Sequence, residues 1–241
     1  MNDFKDLYKK IFGKNNLSKY ITDEYAEKFY ILTEEMLRVN KFINLTSIND
    51  AGDIISKHYA DSLLIAEYLP DDIKLIDVGT GAGFPALPLA VIRESVFITA
   101  LDSTLKKLTY ISDTARLLNL KNIETLNMRA EIAGKDKAHR ERYDVSCARA
   151  VAPLNILCEY CLPLVKPGGK FIAMKSAGIQ AEINSSAQII EKLGGKFSES
   201  IEYELQTETE TIKRAAIIIK KIIPTPVIYP RGNAQITKRP L

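Results

Sequence analysis

Histidine and cysteine are scarce in this 241-residue chain, with two of the first and three of the second. A structural zinc needs four nitrogen or sulfur ligands, and His58, His139, Cys147, Cys158 and Cys161 show no such spacing, so no metal is expected. An odd cysteine count without a disulfide pattern fits a reducing compartment. Cys158 and Cys161 form one CxxC, but it sits inside an apolar stretch, where packing is the expected role. Long apolar runs are missing too; none approaches the roughly 18 residues of a membrane span. The first twelve residues mix acids with bases and contain no apolar segment before a cleavage site, so no secretion signal is expected there. The cytoplasm is the expected compartment. Net charge is small, +3, and by itself implies no nucleic-acid partner.

What the chain does have is an ordinary soluble composition, 46% apolar and 26% charged, at a length suited to one α/β domain with a small addition. The first seventy residues read as helical. Phe4, Leu7, Tyr8 and Ile11 recur at helical spacing, and Thr22 can cap a second helix whose stripe is Tyr25, Phe29, Leu32, Met36 and Leu37. A third helix is predicted from about Ser56 to Tyr68, stopping before Pro70. The texture then changes to short apolar runs alternating with amphipathic stretches. Strands are predicted at Ile73–Val78, Val96–Leu101, Ile123–Asn127, Tyr143–Cys147 and Phe171–Met174. Helices are predicted at Pro85–Ile92, Leu105–Leu118, Leu154–Val165 and Ile179–Leu193, with a turn at Pro167-Gly168-Gly169. Phe197–Leu205 and Ile212–Ile219 read as a hairpin. Strand–helix alternation predicts an α/β fold with a mostly parallel sheet and helices on both faces; the hairpin adds one antiparallel strand. Three segments are expected: a helical 1–70, a main domain 71–221 and a basic tail 222–241.

Asp77-Val78-Gly79-Thr80-Gly81-Ala82-Gly83-Phe84 follows the first predicted strand and precedes a helix, the crevice where open α/β sheets bind ligands. A dinucleotide fingerprint would put a third glycine at position 84, which is Phe84. A bulky ring there obstructs a pyrophosphate, so the loop fits a nucleoside without phosphates, and S-adenosylmethionine matches that description. Asp102 ends the second strand 23 positions after Gly79, where an acid can accept both ribose hydroxyls; capping a helix is its other reading. Ala130 and Glu131 follow the third strand, at the place for adenine. Arg149 closes the fourth strand and is expected to face the crevice, because an unpaired buried charge is costly.

From Lys220 onward there are five bases and no acid. A solvated tail and a phosphate-contacting edge both fit that pattern. Lys175, ending the fifth strand, is open to the same two readings. His58, Asp61 and Ser62 read as a hydrogen-bonded network locking the N-terminal helices onto the main domain, with a substrate-side role as the alternative.

Several motifs occur in a telling order: Asn44 to Ile48, His58 to Ser62, the glycine loop, Asp102-Ser103 with Lys106 and Lys107, Ala148-Arg149-Ala150, and Tyr229-Pro230-Arg231. Together they resemble the bacterial small-subunit ribosomal RNA guanine-N7 methyltransferases, the glucose-inhibited division protein B family, from about Asn40 to the last residue. The resemblance implies a Rossmann-like class I methyltransferase fold with a seven-stranded sheet. It implies methyl transfer from S-adenosylmethionine to N7 of one guanine in 16S rRNA, by in-line displacement without a general base. No catalytic side chain is therefore expected. Gly79, Phe84, Ala130, Glu131 and Arg149 would contact the cofactor, joined by Gly81 and Asp102 from the loop and spacing arguments. Lys106, Lys107, Lys175, Arg231, Lys238 and Arg239 are the candidates for RNA. The expected partner is 16S rRNA or the small ribosomal subunit, and the expected state is a monomer. The chain departs from the family pattern at Ala86, Ala234 and Ile236, where glycine, glycine and proline are usual.

Overall fold

The computed structural model describes residues 1–241. Two amphipathic helices open it, Asn2–Lys14 (α1) and Asp23–Asn40 (α2). The Thr22 hydroxyl caps α2 by accepting from the Tyr25 amide at 3.1 Å, as the sequence predicts. A broken helical segment follows: Ala51–Asp53 (α3), a π-helix over Ile54–Ala60, and Asp61–Leu63 (α4). The main domain then alternates as predicted. Its elements are Lys74–Val78 (β1), Ala86–Ile92 (α5), Phe97–Asp102 (β2), Leu105–Leu117 (α6), Ile123–Asn127 (β3), Ala130–Ala133 (α7) and Tyr143–Arg149 (β4). Leu154–Cys161 (α8), Val165–Ser176 (β5), Gln180–Lys192 (α9), the hairpin Gly195–Gln206 (β6) and Thr211–Lys221 (β7), and Asn233–Lys238 (α10) complete it.

The seven strands lie in the order β3-β2-β1-β4-β5-β7-β6. Only β7 runs against the others, pairing antiparallel with β5 and β6. The strand order reverses at β1, running outward to β2 on one side and to β4 on the other, and this opens a crevice at their carboxyl ends. β1 is buried beyond its first residue, as befits a central parallel strand covered on both faces.

The N-terminal helices share one continuous core with the sheet; Tyr8, Phe12, Phe29 and Tyr59 join the same cluster as Leu75, Leu87 and Ile98. Four rings make a column through it. Tyr8 stacks near Phe12 (centroids 4.0 Å), Phe12 meets Phe29 (5.8 Å), and Phe29 meets Tyr59 (4.7 Å). Tyr59 then reaches Phe84 of the glycine loop at 6.0 Å. Such pairs contribute roughly 0.5–1.5 kcal/mol each beyond area burial.

Several elements differ from the sequence expectation: α7 and α10 fall where no helix is expected, and the third helix ends at Leu63, before a 3₁₀ turn at Ala66–Tyr68. The third helix begins at Ala51, earlier than Ser56, because the Asp50 carboxylate caps it by accepting from the Asp53 amide at 3.0 Å. It then widens to π geometry, a form frequent at functional sites. The helix from Leu154 ends at Cys161, not Val165, where Pro163 lacks a donor and the chain tightens into a 3₁₀ turn. β5 starts at Val165, yet Pro167-Gly168-Gly169 still turns the chain out of line, since the pairing jumps from Tyr143–Val165 to Val145–Lys170.

Residues 222–241 are docked onto the main domain. The Arg140 guanidinium donates to the carbonyls of Thr225, Pro226 and Tyr229, and Glu141 accepts from the Thr225 amide at 2.7 Å. Ile236 is fully buried in the core that includes α8, and its amide donates to the Gly232 carbonyl at 3.1 Å. An isoleucine with its own amide proton lets α10 form and fill that site.

Candidate cofactor and substrate cleft

The loop after β1 is built by hydrogen bonds to β2. The amides of Gly79 and Thr80 both donate to the Leu101 carbonyl, at 2.9 and 3.0 Å. Gly79, Gly81 and Gly83 all have positive φ (73°, 59° and 86°), the region that suits glycine. A Cβ on Gly79 would come within 2.7 Å of Val151 Cγ2, whereas one on Gly81 would make only an ordinary contact with the Gly79 carbonyl oxygen, at 3.9 Å. Asp102 ties the loop to β2. One carboxylate oxygen accepts from the Gly81 amide (3.0 Å) and the other from the Thr104 amide (2.8 Å). Asp102 is thus not the cap of α6, whose N-cap is Thr104 without a side-chain cap bond; its carboxylate holds the turn, and each oxygen keeps a lone pair for a hydroxyl.

Beneath the loop, fully buried Asp77 accepts from the Ala86 amide and from the Cys147 thiol. Burial pushes its carboxyl up to about 6, although Thr80, the Ala86 amide and Arg149 oppose this. Cys158 and Cys161 are buried in the core, where burial raises both thiols.

Two adjoining cavities meet at Gly79 and Asp102. The smaller, about 180 Å³, is walled by Ala130, Glu131, Met128, Tyr160 and Asn233. Asn233 belongs to α10, and its side-chain oxygen accepts from the Tyr160 hydroxyl at 2.6 Å. The larger, about 750 Å³, is lined by the loop, Phe84 and Arg149, and on its far wall by His58, Asp61, Tyr203 and Arg214.

Arg149 is the hub of the larger cavity. It donates to the Lys57 carbonyl (2.8 Å) and Asp61 Oδ2 (3.0 Å), and its guanidinium lies 5.5 Å from the Phe84 ring centre. His58 stacks on Phe84 with centroids 4.4 Å apart, and its Nε2 bonds the Thr46 hydroxyl at 2.9 Å. Burial, aided by the Arg149 charge, lowers His58 to about 3, so the ring is neutral near pH 7. The Ser62 hydroxyl donates to the His58 carbonyl. The π-helix and α4 thus lock the helical segment to β4, the network reading of His58, Asp61 and Ser62, and His58 and Asp61 also line the cavity.

The structure gathers Gly79, Gly81, Phe84, Asp102 and Arg149 around the larger cavity, and Ala130 and Glu131 around the smaller. The cations disperse. Lys106 is exposed, and Lys107 lines the larger cavity beside it. Lys175 also reaches that cavity, but its Nζ donates to Glu182 (2.7 Å) and the Ala152 carbonyl. Arg231 is held by Glu159, with Nη2–Oε2 at 2.7 Å, and also donates to the Arg239 carbonyl. Lys238 and Arg239 are exposed on the docked tail. Sequence reasoning gave no role to Thr46, Lys57, Tyr160, Tyr203, Arg214 or Asn233. For Tyr203 and Arg214 a signal existed: closing the hairpin on Thr207–Glu210 pairs Gln206 with Thr211 and so sets these two opposite each other.

Solved structures share the fold at low identity. The M. jannaschii TYW2 complex with AdoMet aligns with a TM-score of 0.55 at 14% identity, over 72% of this chain and 78% of that one. The 16S rRNA (adenine(1408)-N(1))-methyltransferase from Catenulisporales acidiphilia aligns at 0.54 and 12%, over 69% and 93%. With its glycine loop, its acid at the end of β2 and this topology, the chain is a class I methyltransferase that uses S-adenosylmethionine. The family model for rRNA small subunit methyltransferase G (GidB) matches residues 25–210. The chain is 41% identical over 230 residues to the ribosomal RNA small subunit methyltransferase G of Acetivibrio thermocellus, covering 95% of this chain and 94% of that one. It is 39% identical over 240 residues to the protein of the same name from Clostridium perfringens strain SM101, covering 98% of each. The chain belongs to the rRNA small subunit methyltransferase G family.

Proposed function

We propose that this enzyme methylates N7 of a specific guanine in 16S rRNA. Membership of the family supports an rRNA substrate. The observation that carries the choice of atom is the state of the ionisable groups in the larger cavity. His58 is held near 3 and is a poor proton acceptor at neutral pH. Asp61 lies between Arg149 and Arg214, and Lys175 is paired with Glu182. The neutral His58 is a weak base and the other two are engaged by opposite charges, so none stands as a free general base. Guanine N7 has a free lone pair and loses no proton on methylation, so it suits a cleft of this kind.

Bound S-adenosylmethionine supplies an electrophilic methyl carbon for in-line displacement by that lone pair. The chain's own residues do the placing. Gly79 and Gly81 allow close approach of the backbone, Asp102 offers acceptors to the ribose, and Ala130 and Glu131 flank the adenine cavity. Phe84 and Arg149 hold the methionine end. Placement of this kind supplies roughly 7–11 kcal/mol. Of the cations, Lys106, Lys107, Lys238 and Arg239 are the ones free to meet phosphate in this reading. Lys175 and Arg231 serve internal ion pairs.

Mapping 7-methylguanosine in 16S rRNA from cells with and without the gene tests the proposal. One guanine should lose its methyl group in the deletion strain and regain it on complementation. An unchanged map would refute it.

A further inference from the structure

Three buried or half-buried polar atoms on the far wall of the larger cavity have no hydrogen-bond partner: Asp61 Oδ1, Arg214 Nε and Tyr203 Oη. Buried polar groups are nearly always paired, so each orphan calls for an explanation. These three come from separate elements. Asp61 begins α4, while Tyr203 and Arg214 stand directly opposite each other in the β6–β7 ladder and so share a face. Asp61 is 3% exposed, and its Oδ1 lies 3.3 Å from Arg214 Nε without a hydrogen bond between them. Burial raises the Tyr203 hydroxyl, and Asp61 raises it further, so this group stays a protonated donor.

The strand order places this cluster beyond the cofactor. From Asp102 on β2 to Arg149 on β4 is two strand steps, and from Arg149 to Arg214 on β7 is two more. At about 4.8 Å per step, Arg214 stands roughly 19 Å from the ribose-binding acid. The methionine tail beyond the ribose has five bonds of about 1.5 Å each, a reach of no more than about 8 Å. That reach ends near Arg149.

We infer that Asp61, Tyr203 and Arg214 form the subsite that receives the target base and grips its polar edge. This rests on the proposed rRNA guanine methylation and adds the residues that recognise the base. A phosphate would meet the Asp61 carboxylate beside Arg214, so it is a poorer occupant than a group that carries donors of its own. A purine edge carrying both donors and acceptors satisfies the set: the carboxylate accepts from ring and amino N–H groups, and Arg214 and Tyr203 donate to the carbonyl oxygen. Guanine offers that combination at O6, N1–H and the 2-amino group. A site built to pair such groups rejects bases lacking them, since its own atoms are then left unpaired.

Tyr203→Phe and Arg214→Lys test the assignment, because each removes one orphan donor with little loss of bulk or charge. The measurements are S-adenosylhomocysteine affinity by calorimetry, and kcat/KM with small-subunit rRNA or its ribonucleoprotein particle, at several salt concentrations. In both variants kcat/KM should fall at least tenfold. The S-adenosylhomocysteine Kd should stay within twofold, and the salt dependence of RNA affinity should not change. Kinetics within twofold of wild type would overturn the inference. So would a parallel loss of S-adenosylhomocysteine affinity, which would assign the cluster to the cofactor. In a third variant, Arg214→Gln, which removes the charge, a salt slope reduced by about one would mark a phosphate contact and overturn it too. If the wild-type protein methylates no guanine in any of these RNAs, the proposed function fails and this inference with it. If only the variants behave as wild type, the proposed function stands and the subsite alone is lost.

Discussion

Gly79 combines two demands that glycine alone meets, a positive φ and a missing Cβ beside Val151. Gly79→Asp should raise the S-adenosylhomocysteine Kd at least a hundredfold. The fold should persist, because a left-handed non-glycine residue costs about 1–3 kcal/mol, and far-ultraviolet circular dichroism with a melting curve checks both parts. His58 and Asp77 give a pH prediction of opposite sign. His58 is held at about 3 against an ordinary 6.5, so between these values the unfolded chain takes a proton that the folded chain refuses. Stability from this group is full above 6.5 and is lost on acidification, by about 1.4 kcal/mol per pH unit. Asp77, raised to about 6 from 3.8, takes its proton first in the fold and so stabilises it as pH falls through 6. The advantage of wild type over His58→Gln should therefore shrink from pH 6.5 downward, whereas Asp77→Asn should steepen the acid loss. Urea unfolding at pH 7, 6 and 5 reads both; parallel profiles for all three proteins would contradict the assignment.

At the scale of elements, the tail is the part that sequence reasoning saw least clearly. Its charge pattern suggested a solvated or phosphate-contacting edge, but charge counts do not reveal partners, and the carboxylate that claims Arg231 is Glu159, over seventy positions away. Glu159 is 1% exposed. Breaking a buried pair costs about 3–5 kcal/mol, so Arg231→Ala should lower the melting temperature by roughly 6–20 °C at about 2–4 °C per kcal/mol. Because α10 carries Asn233 to the smaller cavity, proposed above for adenine, the same change should weaken S-adenosylhomocysteine binding several-fold. Calorimetry and thermal denaturation measure the two effects. The strands, by contrast, were legible because buried parallel strands must be short apolar runs. The π-helix was not, since its widening follows from side-chain pairing with β4 and leaves no periodic mark. The glycine loop, Asp102 and Arg149 could be read locally; Tyr203 and Arg214 acquire meaning only when the hairpin folds beside them.

At the scale of the whole molecule, cations free of partners sit at Lys106 and Lys107 on one side of the cleft and at Lys238 and Arg239 on the tail. Binding to rRNA should weaken steeply with salt, and Lys106→Ala with Lys107→Ala should reduce the slope of log K against log salt by about two. Filter-binding titrations between about 50 and 200 mM salt test this; an unaltered slope would remove both lysines from the RNA surface. The four-ring column from Tyr8 to Tyr59 ends against Phe84, so α1 and the glycine loop share one scaffold. A genetic screen for loss of methylation should accordingly recover lesions at Phe12 and Phe29, remote from any ligand, and such isolates would be mistaken for active-site mutants until their heat tolerance was examined.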